Sequence, residues 1–230
     1  MHFSLLIIFA FLPSFVWLWF FLKRDQNPEP RLMIAKAFLF GALMVAPAII
    51  TQFILESIWP GFIISLILAS FIEELVKYGA AHWSTLKSFA LDEPVDVMIY
   101  MITAGLGFAA VENLIVLIDP SIINISIVIS ASAMRFLTAT FIHALTSGLW
   151  GYFIALQKIH KKKSLLWLGL FLATGIHALY NLGIVGLSEQ MDNRAYLAYT
   201  LLLIIPLGAA ILDTIAFAHL KKINFPKNDY

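Results

Sequence analysis

Seven stretches of the chain are long and apolar enough to cross a lipid bilayer, which excludes most folds at once. They run over about 4–22, 32–57, 60–86, 94–118, 123–157, 164–186 and 195–220. A spanning helix needs roughly 20 mainly apolar residues, since each adds about 1.5 Å to its length. Composition supports this reading: of 230 residues, 61% are hydrophobic and 13% charged, and mean hydropathy is +0.89. A soluble core of this size cannot hide so much apolar surface. Intrinsic disorder is therefore excluded, and a soluble enzyme nearly so. The sequence predicts an all-α fold: a polytopic integral membrane helical bundle of about seven transmembrane spans, with residues 1–230 as a single transmembrane domain. Segment 123–157 is too long for one straight helix. Splitting it makes eight spans, and residues 121–131 then read as a short interfacial or re-entrant piece.

Charge fixes an orientation. Lys23, Arg24 and Arg31 follow the first run, Lys87 the third, Lys158 and Lys161–Lys163 the fifth, and Lys221, Lys222 and Lys227 the seventh. The alternate loops hold only Arg194. By the positive-inside rule the N-terminus lies outside and the C-terminus in the cytoplasm, in an inner or plasma membrane. The first run carries its basic residues after the apolar stretch, the reverse of a signal peptide, and reads as a retained span. Net charge is +1, so no nucleic-acid partner is expected. Cysteine is absent, which removes disulfides, thiol catalysis, thiolate zinc sites and iron–sulfur clusters.

Ionisable side chains within a span are expensive and point to function. Four successive spans carry them: Glu73, Glu74 and Lys77; Glu112 with Asn113; Arg135 and His143; His177 with Asn181. Glu73, His143 and His177 all fall near mid-depth. Glu73/Lys77, His143/Ser147, His177/Asn181 and Phe108/Glu112 are i,i+4 pairs, so each helix shows a polar stripe in one direction. Gly105, Gly107, Ala109 and Ala110, and Ser147, Gly148 and Gly151, flank those stripes and permit close helix approach. A single buried Glu or His reads as an interhelical hydrogen bond. Three glutamates and two histidines at matching depth read as chemistry. Lys77 is the expected partner of Glu73 or Glu74, and Arg135 of Glu112 or of the interface. Lys36 and Glu56 are expected to snorkel, Asp213 and His219 to be interfacial, and Trp17, Trp19, Trp59, Trp83, Trp150 and Trp167 to sit mostly near span ends, as an aromatic belt would.

This set suits water activation. A poorly hydrated glutamate can serve as general base or acid. Alternatively His143 and His177, with Glu74 or Glu112, could hold Zn²⁺ with one position open for water. Asn113 or Asn181 could donate to an oxyanion. No G-x-S-x-G, S-x-x-K or H-E-x-x-H pattern is present, so serine and zincin-type catalysis are disfavoured.

The residues also resemble a family. Phe71-Ile72-Glu73-Glu74-Leu75-Val76-Lys77 looks like the E-E-x-x-K motif of PrsW-type intramembrane proteases. Asp92-Glu93-Pro94-Val95-Asp96 and Gly105 to Asn113 resemble its second block, Arg135 with His143 and Leu149-Trp150-Gly151 its third, and His177-Ala178-Leu179-Tyr180-Asn181 its fourth. The resemblance implies a polytopic peptidase with a protease-like core at about 66–186, distantly similar to CAAX prenyl endopeptidases and bacteriocin-processing membrane proteases. It implies a single-span membrane protein as substrate, in the family's terms an anti-sigma factor cut at site 1 in stress signalling. By motif, Glu73, Glu74, His143 and His177 would be catalytic, supported by Lys77, Glu112, Asn113, Asn181 and Arg135. The resemblance leaves metal-dependent and glutamate-type mechanisms both open. Three other classes use similar residues. A proton-coupled transporter or channel is the main alternative, although no inverted repeat is visible. A retinal receptor needs a buried lysine in its last span, and that span has none. A non-catalytic relative is separated only by an activity test.

Overall fold

Lipid offers no partner for a backbone N–H or C=O, so each span must satisfy its own backbone as helix. The computed structural model describes residues 3–25, 27–59, 61–119, 124–188 and 195–226. Among the described residues the elements are α1 (Phe3–Leu22), α2 (Arg31–Leu43), α3 (Val45–Ile58), α4 (Phe62–Ser84), α5 (Pro94–Leu117), α6 (Ile125–Leu137), α7 (Ala139–His160), α8 (Lys163–Ser188) and α9 (Ala195–Leu220). The chain is a multi-pass helical membrane protein. Six of its helical stretches are long and apolar enough to cross, counting α2 with α3 and α6 with α7. α4 has comparable length, at 23 residues, but carries Glu73, Glu74 and Lys77 at its centre.

Two of the predicted spans are broken. Residues 32–57 divide at Met44, where α2 hands over to α3. Pro47 explains the break, because it lacks the N–H that would have reached the Leu43 carbonyl. Residues 123–157 divide at Thr138 (φ −123, ψ −90), whose hydroxyl donates to the Met134 carbonyl at 2.7 Å. Of the piece expected to be interfacial or re-entrant, residues 121–123 lie outside the described residues. The rest opens α6, capped by Asn124, whose Oδ1 accepts from the Ile127 amide at 3.0 Å. At 13 residues α6 is too short to cross alone.

α5 is the axis of the bundle. Residues 94–110 are buried without interruption, as expected for a helix that is apolar all round. α7 packs on one side, and α1 and α2 on others. The approach to α2 is backbone on backbone: a Cβ on Gly41 would overlap the Ala104 carbonyl, and one on Gly107 the Phe38 carbonyl. Its start is written in Asp92-Glu93-Pro94-Val95-Asp96. Pro94 takes the first helical position, and Asp96 Oδ2 accepts from the amides of Glu93 and Asp92 at 2.6 and 3.0 Å. Glu29, in the α1–α2 connection, is buried beside it and accepts from the Tyr100 hydroxyl.

Two expectations are corrected here. Asp213 is not interfacial. It is buried in α9 against Gly148 of α7, and neither carboxylate oxygen has a hydrogen-bond partner among the described residues. Trp150 is not in a belt either. It is buried on α7 and its indole donates to the Leu166 carbonyl at 3.0 Å, because α8 folds back over it. Trp17 likewise turns inward, stacking on Phe141 and donating to the Phe136 carbonyl at 2.8 Å. Trp19, Trp59, Trp83 and Trp167 do lie exposed.

Candidate active site

Glu74 and Lys77 are three residues apart on α4, hence on one helical face. Both side chains are 0% exposed and their charged atoms are 2.6 Å apart. Glu74 Oε1 also accepts from Thr146 on α7 at 2.9 Å and from His177 Nδ1 on α8 at 2.8 Å. Lys77 donates a second bond to His143 Nδ1 at 3.2 Å. His143 Nε2 donates to Glu112 Oε2 at 2.5 Å, and Glu112 Oε1 pairs with Arg135 at 3.0 Å. On the other side His177 Nε2 lies 3.6 Å from Glu73 Oε2, and Gln52 of α3 donates to Glu73 Oε1 at 3.0 Å. One series of polar contacts thus crosses α3, α4, α8, α7, α5 and α6. Phe108 lies beneath it, its ring 5.5 Å from that of His143. The two imidazoles meet edge to face at 4.9 Å.

The hydrogen bonds assign the free nitrogens. Carboxylates only accept, so His177 carries its proton on Nδ1 and His143 on Nε2. That leaves the His177 Nε2 lone pair free and points the His143 Nδ1 lone pair at the Lys77 ammonium, 3.2 Å away. Ligand atoms of Glu73, His143 and His177 lie within 4.8 Å of one another. Two imidazoles and a carboxylate are the donor set of a catalytic Zn²⁺ site with an open position. Behind each imidazole stands a carboxylate, Glu112 for His143 and Glu74 for His177, the support that metal-binding histidines require. Three carboxyl groups, Glu73, Glu74 and Glu112, face only two fixed cations, Lys77 and Arg135, so Glu73 is the one without a fixed cation of its own. Glu74 Oε2 is buried with no partner among the described residues. These four features fit a divalent cation. The glutamate in the convergent set is Glu73, whereas the sequence pointed to Glu74 or Glu112. Those two are taken up by the histidines and cations around them.

Asn113 also lands elsewhere than expected. Its amide donates to the Ala10 carbonyl at 3.1 Å and to Thr140 at 3.0 Å, and its Oδ1 accepts from Arg135 at 2.5 Å. With both N–H groups committed it braces α1, α6 and α7 and has none for an oxyanion. Asn181 spends one on Ser70 at 3.2 Å. Sequence reasoning missed Gln52, Thr146 and Ser70. Gln52 had a signal, an amide inside an apolar run. Thr146 and Ser70 had none, since either residue ordinarily bonds its own helix in a membrane.

A Glu–His cluster on four helices, extended to six by Gln52 and Arg135, defines a class: membrane-embedded proteins that handle protons or water inside the bundle. Comparison with known proteins narrows it. The family described as PrsW family intramembrane metalloprotease matches residues 29–211, and the chain belongs to that family. It is a multi-pass membrane peptidase. It is 28% identical over 170 residues to a Protease PrsW of Geobacillus kaustophilus, covering 71% of this chain and 72% of the relative. It is 27% identical over 177 residues to that of Bacillus subtilis, covering 74% and 78%. With that of Clostridioides difficile it shares 24% over 229 residues, 96% and 94% of the two lengths. No solved structure matches the chain.

Proposed function

We propose that the chain is a metal-dependent endopeptidase that cuts a single-span membrane protein, with Glu73, His143 and His177 holding a Zn²⁺ ion. The observation that carries this is the convergence of those three ligand atoms within 4.8 Å. A bound Zn²⁺ would polarise the scissile carbonyl and make its water more acidic. The rest falls to the protein. Glu112 and Glu74 hold the two imidazoles in the tautomers that leave Nε2 of His177 free and turn Nδ1 of His143 to Lys77, whose hydrogen bond a metal ion would replace. Glu74 Oε2, with no partner of its own, accepts the proton of the attacking water and passes it to the leaving amine as the C–N bond breaks. Lys77 and Thr146 fix that carboxylate through its other oxygen. Asn181 supplies a donor for the carbonyl oxygen as it gains charge. Arg135 positions Glu112.

The same proposal extends to the setting. The catalytic core is about 66–186, the N-terminus is outside, and the protein sits in the inner or plasma membrane. By analogy with the family, the substrate is an anti-sigma factor cut at site 1. Mass spectrometry of new protein N-termini in whole membranes tests the activity, comparing the native chain with Glu74→Gln. Cleavage sites in or beside single-span proteins are expected only with the native chain, and their identity tests the anti-sigma assignment. Equal sets of N-termini at equal insertion would overturn it. Metal content of the purified protein is expected to fall in His143→Ala and His177→Ala.

A further inference from the structure

Where α4 and α7 end, the bundle holds a recess of ≈ 240 Å³. Lys87 and Ser88, from the α4–α5 connection, line one side, and Lys158 and Lys161, from the end of α7, line the other. Leu91 and Phe225 wall it with carbon, and no acidic residue lines it among the described residues. The positive-inside rule accounts for lysines on this face, but it asks only for charge near the membrane, not for convergence on one cavity. Four observations go beyond it. Like charges are held close: Lys158 and Lys161 repel each other, and Lys87 and Lys158 both lie within electrostatic reach of His82. The Leu86 carbonyl, 3.4 Å away, holds Lys158 Nζ at the wall and takes one of its three donors. The Ser88 hydroxyl is buried with no hydrogen-bond partner among the described residues. Lys161 ends α7 in the left-handed region (φ 57, ψ 23), where glycine is usual, and is the only non-glycine residue with positive φ among the described residues.

From this we infer that the recess is an anion site that takes a phosphate group, carried by an anionic lipid headgroup or by a small phosphate ester. A phosphate monoester brings about 1.5–2 negative charges at pH 7 and three acceptor oxygens. The lysine ammonium groups answer the charge, and the Ser88 hydroxyl adds a donor that nothing else uses. The volume lies below the about 300–1,000 Å³ of sites for drug-sized ligands. The group received is therefore small, a phosphate with a short substituent resting on Leu91 and Phe225. The surroundings favour the lipid source. Trp83 is 66% exposed and Phe89 89% exposed, one on each side of Lys87 along the chain. Aromatic residues so placed sit at headgroup level, and basic pockets between membrane helices are where phosphate headgroups bind. The recess also joins two functional helices. α4 carries Glu74 and Lys77, and α7 carries His143 and Thr146. A phosphate there offsets the repulsion among the lysines and ties the ends of those helices together.

The site does not depend on the peptidase reading, and its test is binding by the purified full chain. Nanodiscs of phosphatidylcholine hold the protein, with or without phosphatidic acid; inorganic phosphate and glycerol 3-phosphate are the soluble probes. The readout is the rise in unfolding midpoint with ligand concentration, which reports affinity for the folded state. Phosphatidic acid is expected to raise the midpoint. Its apparent affinity should fall at least about tenfold in Lys158→Gln and in Lys87→Gln, the loss of a hydrogen bond to a charged group. Lys222→Gln removes an exposed lysine outside the recess and should change the affinity by less than about twofold. Lys161→Gly removes an ammonium and relaxes the backbone together. It should stabilise the ligand-free chain while weakening the response to phosphatidic acid; a lysine that only marks topology would give the first effect without the second. A response to glycerol 3-phosphate in pure phosphatidylcholine supports the site and names a free phosphate ester as its source. A response to phosphatidic acid alone supports it and names the headgroup. No response to any of the three probes, or an equal loss in Lys222→Gln, would overturn it.

Discussion

Lys77→Met is the most telling single change. The Lys77–Glu74 pair is 2.6 Å apart, and both side chains are 0% exposed. At an effective dielectric of about 20, unit charges 4 Å apart attract by about 4 kcal/mol, and a closer pair by somewhat more. Removing one partner of a buried pair costs about 3–5 kcal/mol, because the other charge remains without water or counter-ion. Thr146 and His177 still donate to Glu74, so the low end, about 3 kcal/mol, is expected for Lys77→Met. Glu74→Gln alone should cost about as much, since it strands the ammonium. The double variant should lose no more than about 2 kcal/mol, far less than the sum. Denaturant unfolding of the purified protein in detergent, followed by tryptophan fluorescence, gives all four stabilities. Single losses below about 1 kcal/mol, or strict additivity, would show that the pair is not a buried, mutually dependent ion pair.

Further predictions use the same unfolding assay. Gly107→Ala places a Cβ on the Phe38 carbonyl and should cost about 1–3 kcal/mol or more. Gly208→Ala, where a Cβ meets nothing within 4 Å, should gain up to about 1 kcal/mol; equal effects would deny the close α2–α5 packing. Asp213→Asn should leave stability unchanged or raise it, since the carboxylate has no partner to lose among the described residues; a loss of about 3–5 kcal/mol would reveal an ion pair. Burial pushes the Glu29 carboxyl above its ordinary value of 4.5. A raised value in the folded state means a proton held more tightly there, so this stability is complete below the unfolded value and fades as pH rises through the folded one. Glu29→Gln, neutral throughout, should therefore gain on the native chain between pH 4 and pH 7, and a flat difference would refute the burial.

The site was legible because lipid makes charge conspicuous. Glu73, Glu74, Lys77, Glu112, His143 and His177 stand out from their spans by cost alone. Pairings along one helix were also readable, as with Lys77 and Glu74. Which imidazole faces which carboxylate was not, because it depends on how α7 and α8 rotate about their axes. That rotation comes from contacts such as Ser147 against Gly105 and Asp213 against Gly148. Asn113 misled for a related reason. An asparagine beside a glutamate looks catalytic, and only tertiary structure shows both of its N–H groups already spent. Depth misled for Asp213 and Trp150, since position along a helix does not say whether a neighbour covers it. The break at Met44 was marked by Pro47, and the one at Thr138 carried no sequence sign beyond excess length.

α4 carries a last consequence, for how the chain is made. Its three central charges would each cost about 2.5–3.5 kcal/mol on entering the bilayer unaccompanied. Lys77 and Glu74 offset each other within α4, but the groups that complete their hydrogen bonding, His143, Thr146 and His177, lie on α7 and α8 and leave the ribosome long after α4 does. α4 must then wait at the insertion machinery, or at the membrane surface, until α8 arrives. Chains cut short before residue 177 should leave α4 outside the bilayer, open to added protease. Assembly of the cluster and entry of α4 become one late event, so no half-built chain carries a competent site.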